Sequence, residues 1–162
     1  MKIFCVIGSK NTGKTTLIEN MIPYFKEKGK KVATLKHHYG DFKIDHERKD
    51  SSRFYKAGAD IVIISSPYKI ALIQKLEKEK SISELIKEFL KNIDILIIEG
   101  YKKSEFPKVA IVKNEENLKN LISESNNIIA VVSKEEIETN LPFFYFNQFQ
   151  KLMSFLENTL NI

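Results

Sequence analysis

What this chain has little of narrows its chemistry first. Its 162 residues include no tryptophan and a single cysteine. Cys5 lies inside an apolar run, so it reads as a small buried hydrophobe, not a disulfide partner or a metal thiolate. Only two of the 26 basic residues are arginine, Arg48 and Arg53. With no arginine-rich helix and no aromatic-basic repeat to stack bases, nucleic acid is not an expected partner. No apolar run approaches the length of a membrane span. The first apolar run is short and carries no charged leader before it, so a cytoplasmic protein is expected. Six glycines and four prolines leave no low-complexity linker. One domain over residues 1–162 follows, and 43% hydrophobic residues suffice for a core. The net charge of +5 is modest. It fits a lysine-rich solvated surface with some pull on phosphorylated ligands or acidic partners.

What the chain does have is a complete G-x-x-x-x-G-K-T loop, Gly8-Ser9-Lys10-Asn11-Thr12-Gly13-Lys14-Thr15, followed by Thr16. It sits after Ile3-Phe4-Cys5-Val6-Ile7 and before a helix-periodic segment, the context that a phosphate loop requires. The glycines let the backbone curl and turn successive N–H groups toward one point. The following helix adds the positive end of its dipole there. Lys14 supplies a mobile cation for the β- and γ-phosphates, and the Thr15 hydroxyl is a hard oxygen ligand for Mg²⁺.

Beyond the loop, the pattern alternates strands with helices. Leu17, Ile18, Met21, Ile22 and Phe25 fall at helical spacing up to Gly29, and Pro23 should kink that helix. A strand from Val32 to Leu35 is followed by a polar segment, then by a short helix over Ser51 to Lys56 that Asp50 is placed to cap. Ile61 to Ser65 and Ile70 to Gln74 read as a hairpin joined through Ser66-Pro67-Tyr68-Lys69. Ser81 and Glu84 form a capping box ahead of the stripe Ile82, Leu85, Ile86, Phe89 and Leu90. Strands follow over Ile93 to Ile98, Val109 to Val112, Ile128 to Val132 and Phe143 to Phe146. A helix around Leu118, Leu121 and Ile122 and a closing helix from Phe149 to Leu160 complete the pattern. Apolar runs without alternation imply strands covered on both sides. The expected fold is a three-layer α/β P-loop NTPase domain with a mainly parallel sheet and one antiparallel hairpin.

Ligands in such sheets bind beyond the carboxyl ends of the strands. Glu99 follows Ile95-Leu96-Ile97-Ile98, where a carboxylate can hold the Mg²⁺ shell or orient an attacking water. The polar stretch from Lys36 to Arg53 stands where P-loop proteins keep a segment that senses the γ-phosphate. Asp45 is a second metal-side candidate there, with Lys36, Lys49, Asp50 and Arg53 as candidate phosphate or loop contacts. His37, His38 and His46 with Asp41 offer an alternative transition-metal set, against which a hydrogen-bonded structural role is the plainer reading.

These residues resemble the MobB family, nucleotide-binding accessory factors of molybdopterin guanine dinucleotide biosynthesis. The likeness rests on the loop at Gly8 to Thr16, on Leu35-Lys36-His37-His38, and on Asp45 through Lys49-Asp50-Ser51 with Arg53 and Ala57-Gly58-Ala59. It continues in Ile98-Glu99-Gly100-Tyr101-Lys102 and Pro107-Lys108. Arg48 departs from the family's usual glycine, and the last fifty or so residues add little. The resemblance implies a GTP-binding homodimer with weak Mg²⁺-dependent GTPase activity that assists the enzyme joining GMP to molybdopterin. Carried over residue by residue, Gly8, Gly13, Lys14, Thr15 and Thr16 hold the phosphates, and Asp45 and Glu99 serve the metal. Lys102, Lys103 and Lys108 are candidates to meet an anionic pterin phosphate. Ser133-Lys134-Glu135-Glu136 is a degenerate match to the guanine-reading element of GTPases, with Lys134 packing along the base and Glu136 accepting its hydrogen bonds. An ordinary helix start is the competing reading of that stretch, so the choice of GTP over ATP rests mostly on the resemblance. Three alternatives stay open: a small-molecule kinase, which two arginines serve poorly, a metal-delivery GTPase, and a nucleotide-dependent scaffold.

Overall fold

The first apolar run becomes strand β1 (Lys2–Gly8), in which Phe4, Cys5, Val6 and Ile7 are all fully buried. Burial on both faces needs cover on both faces, and a parallel sheet provides it. The computed structural model describes residues 1–38, 40–42 and 49–162. It forms two compact units, Met1–His37 with Asn92–Ile162, and His38–Lys91.

The first unit holds a six-stranded sheet in the order β2 (Val32–Lys36), β5 (Ile95–Glu99), β1, β6 (Lys108–Ile111), β7 (Ile128–Ser133), β8 (Phe143–Tyr145). Every pair in it is parallel. From β1 the chain goes to the edge of the sheet at β2, returns to place β5 between β2 and β1, then crosses to the other side for β6 to β8. β1 is therefore the switch point of the sheet, and its carboxyl end opens a crevice.

Helices α1 (Lys14–Glu27) and α5 (Phe149–Leu160) pack on one face. Leu17, Ile18, Met21 and Phe25 of α1 join Leu152, Met153 and Leu156 of α5 against Phe4, Val6, Ile97, Ile111 and Val132. Each such side chain contributes about 1.5–3 kcal/mol by leaving water. The alternate residues Cys5, Ile7, Leu96, Ile98, Ala110 and Val131 point to the opposite face and are equally buried. α1 continues through Pro23, which removes one backbone donor from an otherwise intact helix. Next to it, the Tyr24 hydroxyl donates to Glu157 of α5 at 3.1 Å, and Lys28 pairs with the same carboxylate. The hydrogen bond from Lys28 holds the Glu157 carboxyl below its ordinary range. α4 (Glu115–Glu124) buries Leu118 and Leu121 and is capped by the Asn114 side chain, which accepts from the Asn117 N–H at 2.9 Å.

The second unit carries α2 (Asp50–Lys56), the antiparallel pair β3 (Ile61–Ser65) and β4 (Ile70–Gln74), and α3 (Ile82–Phe89). The hairpin expected from sequence thus forms a two-stranded sheet of its own. Its turn is closed by the Ser66 N–H donating to the Lys69 carbonyl at 3.0 Å. The capping box is present: the Ser81 hydroxyl accepts from the Glu84 N–H, and the Ser81 N–H donates to the Glu84 carboxylate at 2.8 Å. Asp50 does not cap α2 as expected. It is the first helical residue, Lys49 holds the cap position, and the Asp50 carboxylate turns to Arg53 one turn on, at 3.4 Å.

Candidate functional site

At the carboxyl end of β1 the loop turns directly into α1, and two glycines make that turn possible. A Cβ on Gly8 would lie 2.5 Å from the Ile111 carbonyl oxygen, a backbone atom of the neighbouring strand that cannot give way. Gly13 has φ +96°, and a Cβ there would meet the Phe146 ring at 2.9 Å. Gly13→Ala is therefore expected to cost about 1–3 kcal/mol of stability through backbone strain and to abolish nucleotide binding. Melting and titration calorimetry on one preparation check both; unchanged binding would refute a functional role for the turn.

Helix α1 begins at this turn with no side-chain cap and no acidic residue in its first turn. Its first N–H groups lack intrahelical partners and carry the positive end of the helix dipole. By contrast, α3 and α4 are each capped by a side chain. The open end lines a cavity of about 760 Å³ together with Lys10, Asn11, Thr12, Gly13, Lys14, Thr15 and Thr16. Five lysines line it, Lys10, Lys14, Lys36, Lys113 and Lys134, against two carboxylates, Glu99 and Glu135. That balance suits a polyanion.

The loop holds itself in shape around Ser9. Its carbonyl accepts from the Thr12 hydroxyl at 3.0 Å and from the Lys14 ammonium at 2.7 Å. Burial pulls Lys14 below the ordinary lysine value, and Lys36 and Lys102 push the same way against the opposing field of Glu99. A phosphate beside Lys14 would relieve that penalty.

Glu99, at the end of β5, faces the loop. One carboxylate oxygen accepts from the Thr15 hydroxyl at 3.3 Å, and the other lies 3.6 Å from the Lys36 ammonium. Adjacent oxygens on an octahedral Mg²⁺ with bonds of about 2.0–2.1 Å stand roughly 2.9 Å apart. Thr15 and Glu99 thus offer two hard oxygens a few tenths of an ångström from that spacing, and the donor set fits the ion. Asp45, the other metal-side candidate, falls outside the described residues, as does His46.

The remaining sequence candidates are placed as follows. Lys49, Asp50 and Arg53 belong to the second unit. Lys102 pairs with Glu124 at 2.8 Å, and Lys103 is exposed. Lys108 corrects the grouping made from sequence: it is fully buried and donates to the carbonyls of Ser104, Phe106 and Asn126, so its ammonium has no face left for a pterin phosphate. Burial pulls this ammonium below the ordinary lysine value. After β7, Lys134 and Glu135 line the cavity, whereas Glu136 does not. No helix starts there; the Glu135 N–H instead donates to the buried Ser133 hydroxyl at 3.2 Å.

Of the residues lining the cavity, Ile111, Val112, Lys113, Ser133, Glu135 and Phe146 escaped the sequence reading as site members, and Lys113, Glu135 and Phe146 are those whose side chains offer a charge or a ring. They come from the ends of β6, β7 and β8, which no local motif connects. Phe146 is tied to the neighbouring strand through its N–H, which donates to the Ser133 carbonyl at 2.8 Å. Its ring braces the loop at Gly13. The signal that would have found them is strand order, since parallel neighbours of β1 deliver their ends to one edge.

Comparison with known proteins gives a consistent picture. The family model described as Molybdopterin guanine dinucleotide synthesis protein B, MobB, matches residues 3–134. A probable molybdopterin-guanine dinucleotide biosynthesis adapter protein of Bacillus subtilis is 35% identical over 135 residues, 81% of this chain and 75% of that protein. The molybdopterin-guanine dinucleotide biosynthesis adapter protein of Haemophilus influenzae is 28% identical over 157 residues, 96% of this chain and 88% of that one. The crystal structure of Bacillus subtilis MobB superposes with a TM-score of 0.80 at 31% identity, covering 96% of this chain and 98% of that one.

Proposed function

Because this chain belongs to the MobB family of molybdopterin guanine dinucleotide biosynthesis, we propose that it is a GTP-binding adapter that serves the guanylyltransferase step. The observation that carries this reading is the open amino end of α1 inside a lysine-rich cavity, with Thr15 and Glu99 converging beside it. The triphosphate lies along the loop N–H groups and Lys14. Thr15 and Glu99 would hold Mg²⁺, which when bound neutralises charge on the β- and γ-oxygens.

Hydrolysis is a slow side reaction in this reading. A water attacks the γ-phosphorus as the bond to the β–γ bridging oxygen breaks, and GDP leaves with that oxygen. Lys14 and the loop amides stabilise the charge that develops, and Glu99 orients the water or the ion. With two arginines in the whole chain, the kinase alternative has little from which to build an arginine lid over the transferred phosphate.

The nucleoside end points toward Lys134, Glu135 and Phe146, with Glu135, in place of the Glu136 expected from sequence, as the acid that reads guanine. Lys102 and Lys103 are left as contacts for an anionic pterin or a partner enzyme. A homodimer fits the exposed Ile61, Ile63, Ile64, Ile70 and Leu72 of the β3–β4 hairpin. Titration calorimetry with Mg²⁺ is the direct test: GTP is expected to bind more tightly than ATP, and an absence of heat from both would end the proposal. Sedimentation of the same sample checks the dimer, and capture of the guanylyltransferase with and without GTP checks the adapter role.

A further inference from the structure

Sheet register puts Lys36 beside Glu99. The two are Cα partners at the carboxyl ends of neighbouring parallel strands, β2 and β5. Partners in register project to the same side, so the ion pair between them follows from the fold and not from a chance surface encounter. The pair is loose: 3.6 Å, with the Lys36 side chain 67% exposed and Glu99 only 16% exposed. An exposed pair of this kind is worth little and costs little to break.

Glu99 is therefore the fixed member and Lys36 the movable one. The carboxylate already shares its other oxygen with Thr15. A cation seated between Thr15 and Glu99 would take up the charge that now attracts Lys36. At the same time, Lys36 and Lys14 repel each other across the cavity, a contribution that adds to burial, the larger cause, in lowering the Lys14 ammonium. An anion placed between them reverses that repulsion.

The side of the sheet decides which part of the ligand is concerned. β2 and β5 lie on one side of β1, and the strands delivering Lys113, Lys134 and Phe146 lie on the other. The nucleoside end belongs to the latter side, so the metal side with Lys36 belongs to the terminal phosphate.

We propose that Lys36 is the residue that senses the γ-phosphate: it rests on Glu99 without nucleotide and transfers to the terminal phosphate of a bound triphosphate. This rests on the nucleotide-binding reading above and adds to it a basis for telling triphosphate from diphosphate. A diphosphate would leave Lys36 on Glu99.

The test is titration calorimetry with Mg²⁺, using GDP and the non-hydrolysable analogue GppNHp, on wild type, Lys36→Gln and Lys36→Arg. Wild type is expected to favour the triphosphate analogue by tenfold or more. Lys36→Gln is expected to lose most of that preference while its GDP affinity stays within about twofold, and Lys36→Arg to keep most of it. Melting curves that match wild type establish that the variants are folded. The proposal is overturned if Lys36→Gln weakens both ligands by the same factor, if it changes neither, or if wild type does not distinguish them. A wild type that binds neither ligand, nor ATP, overturns the nucleotide reading itself, and this inference with it.

Discussion

Lys14→Ala is expected to weaken binding of the Mg²⁺–triphosphate by roughly a hundredfold, about 3 kcal/mol, while leaving the melting temperature close to wild type. The ammonium now donates to the Ser9 carbonyl at 2.7 Å, a placeholder bond inside its own loop. Exchanging that neutral acceptor for a phosphate oxygen replaces an ordinary hydrogen bond with a charge-assisted one, in a cavity whose walls strengthen the attraction. Alanine removes the gain upon binding yet leaves the turn intact, because the loop is shaped by Gly8, Gly13 and the Thr12 hydroxyl. Titration calorimetry gives the affinity and a melting curve the stability. Full affinity in the variant would place the ligand somewhere other than this loop.

Lys108→Met is expected to act the opposite way, through the fold. The buried ammonium ties three carbonyls together, those of Ser104 and Phe106 in the β5–β6 connection and that of Asn126 before β7, the latter two at 2.8 Å. Methionine fills similar space but leaves those part-buried carbonyls without their common donor. The expected cost is about 3–5 kcal/mol, or roughly 10 °C in melting temperature for a domain of this size. Because the connection carries Lys102 and Lys103, its loosening should be visible as faster amide exchange from Tyr101 to Phe106. A variant that melts with wild type would show that the desolvation of the lysine cancels what its hydrogen bonds contribute.

These two lysines mark how far the sequence could be read. Lys14 was legible because the loop is a local object: strand, glycine turn and helix start are set by neighbours in the chain, and their hydrogen bonds close within a few residues. The hairpin ends, the capping box at Ser81 and Glu84, and the parallel sheet implied by unbroken apolar runs were legible for the same reason. Lys108 was misread because its surroundings are distant in sequence. It pairs in register with Cys5 on one side and Ile128 on the other. Nothing near it in the chain announces that its side chain turns inward.

The cavity divides along the same line. Gly8 to Thr16 and the acid that ends β5 are sequence-level features, and so is membership of the family they resemble. Which other groups share the cavity depended on strand order: Lys113, Glu135 and Phe146 reach it only because β6, β7 and β8 stack outward from β1 in parallel. The pairing of Lys36 with Glu99 likewise depended on register, which a slip of one residue would have reversed. By itself, then, the amino-acid order determined a phosphate-type loop on an α/β scaffold, since local propensity and apolar periodicity are properties of short stretches. Tertiary structure alone decided which lysines face the ligand and which are buried as struts, because a long cationic side chain is committed only by what folds around it.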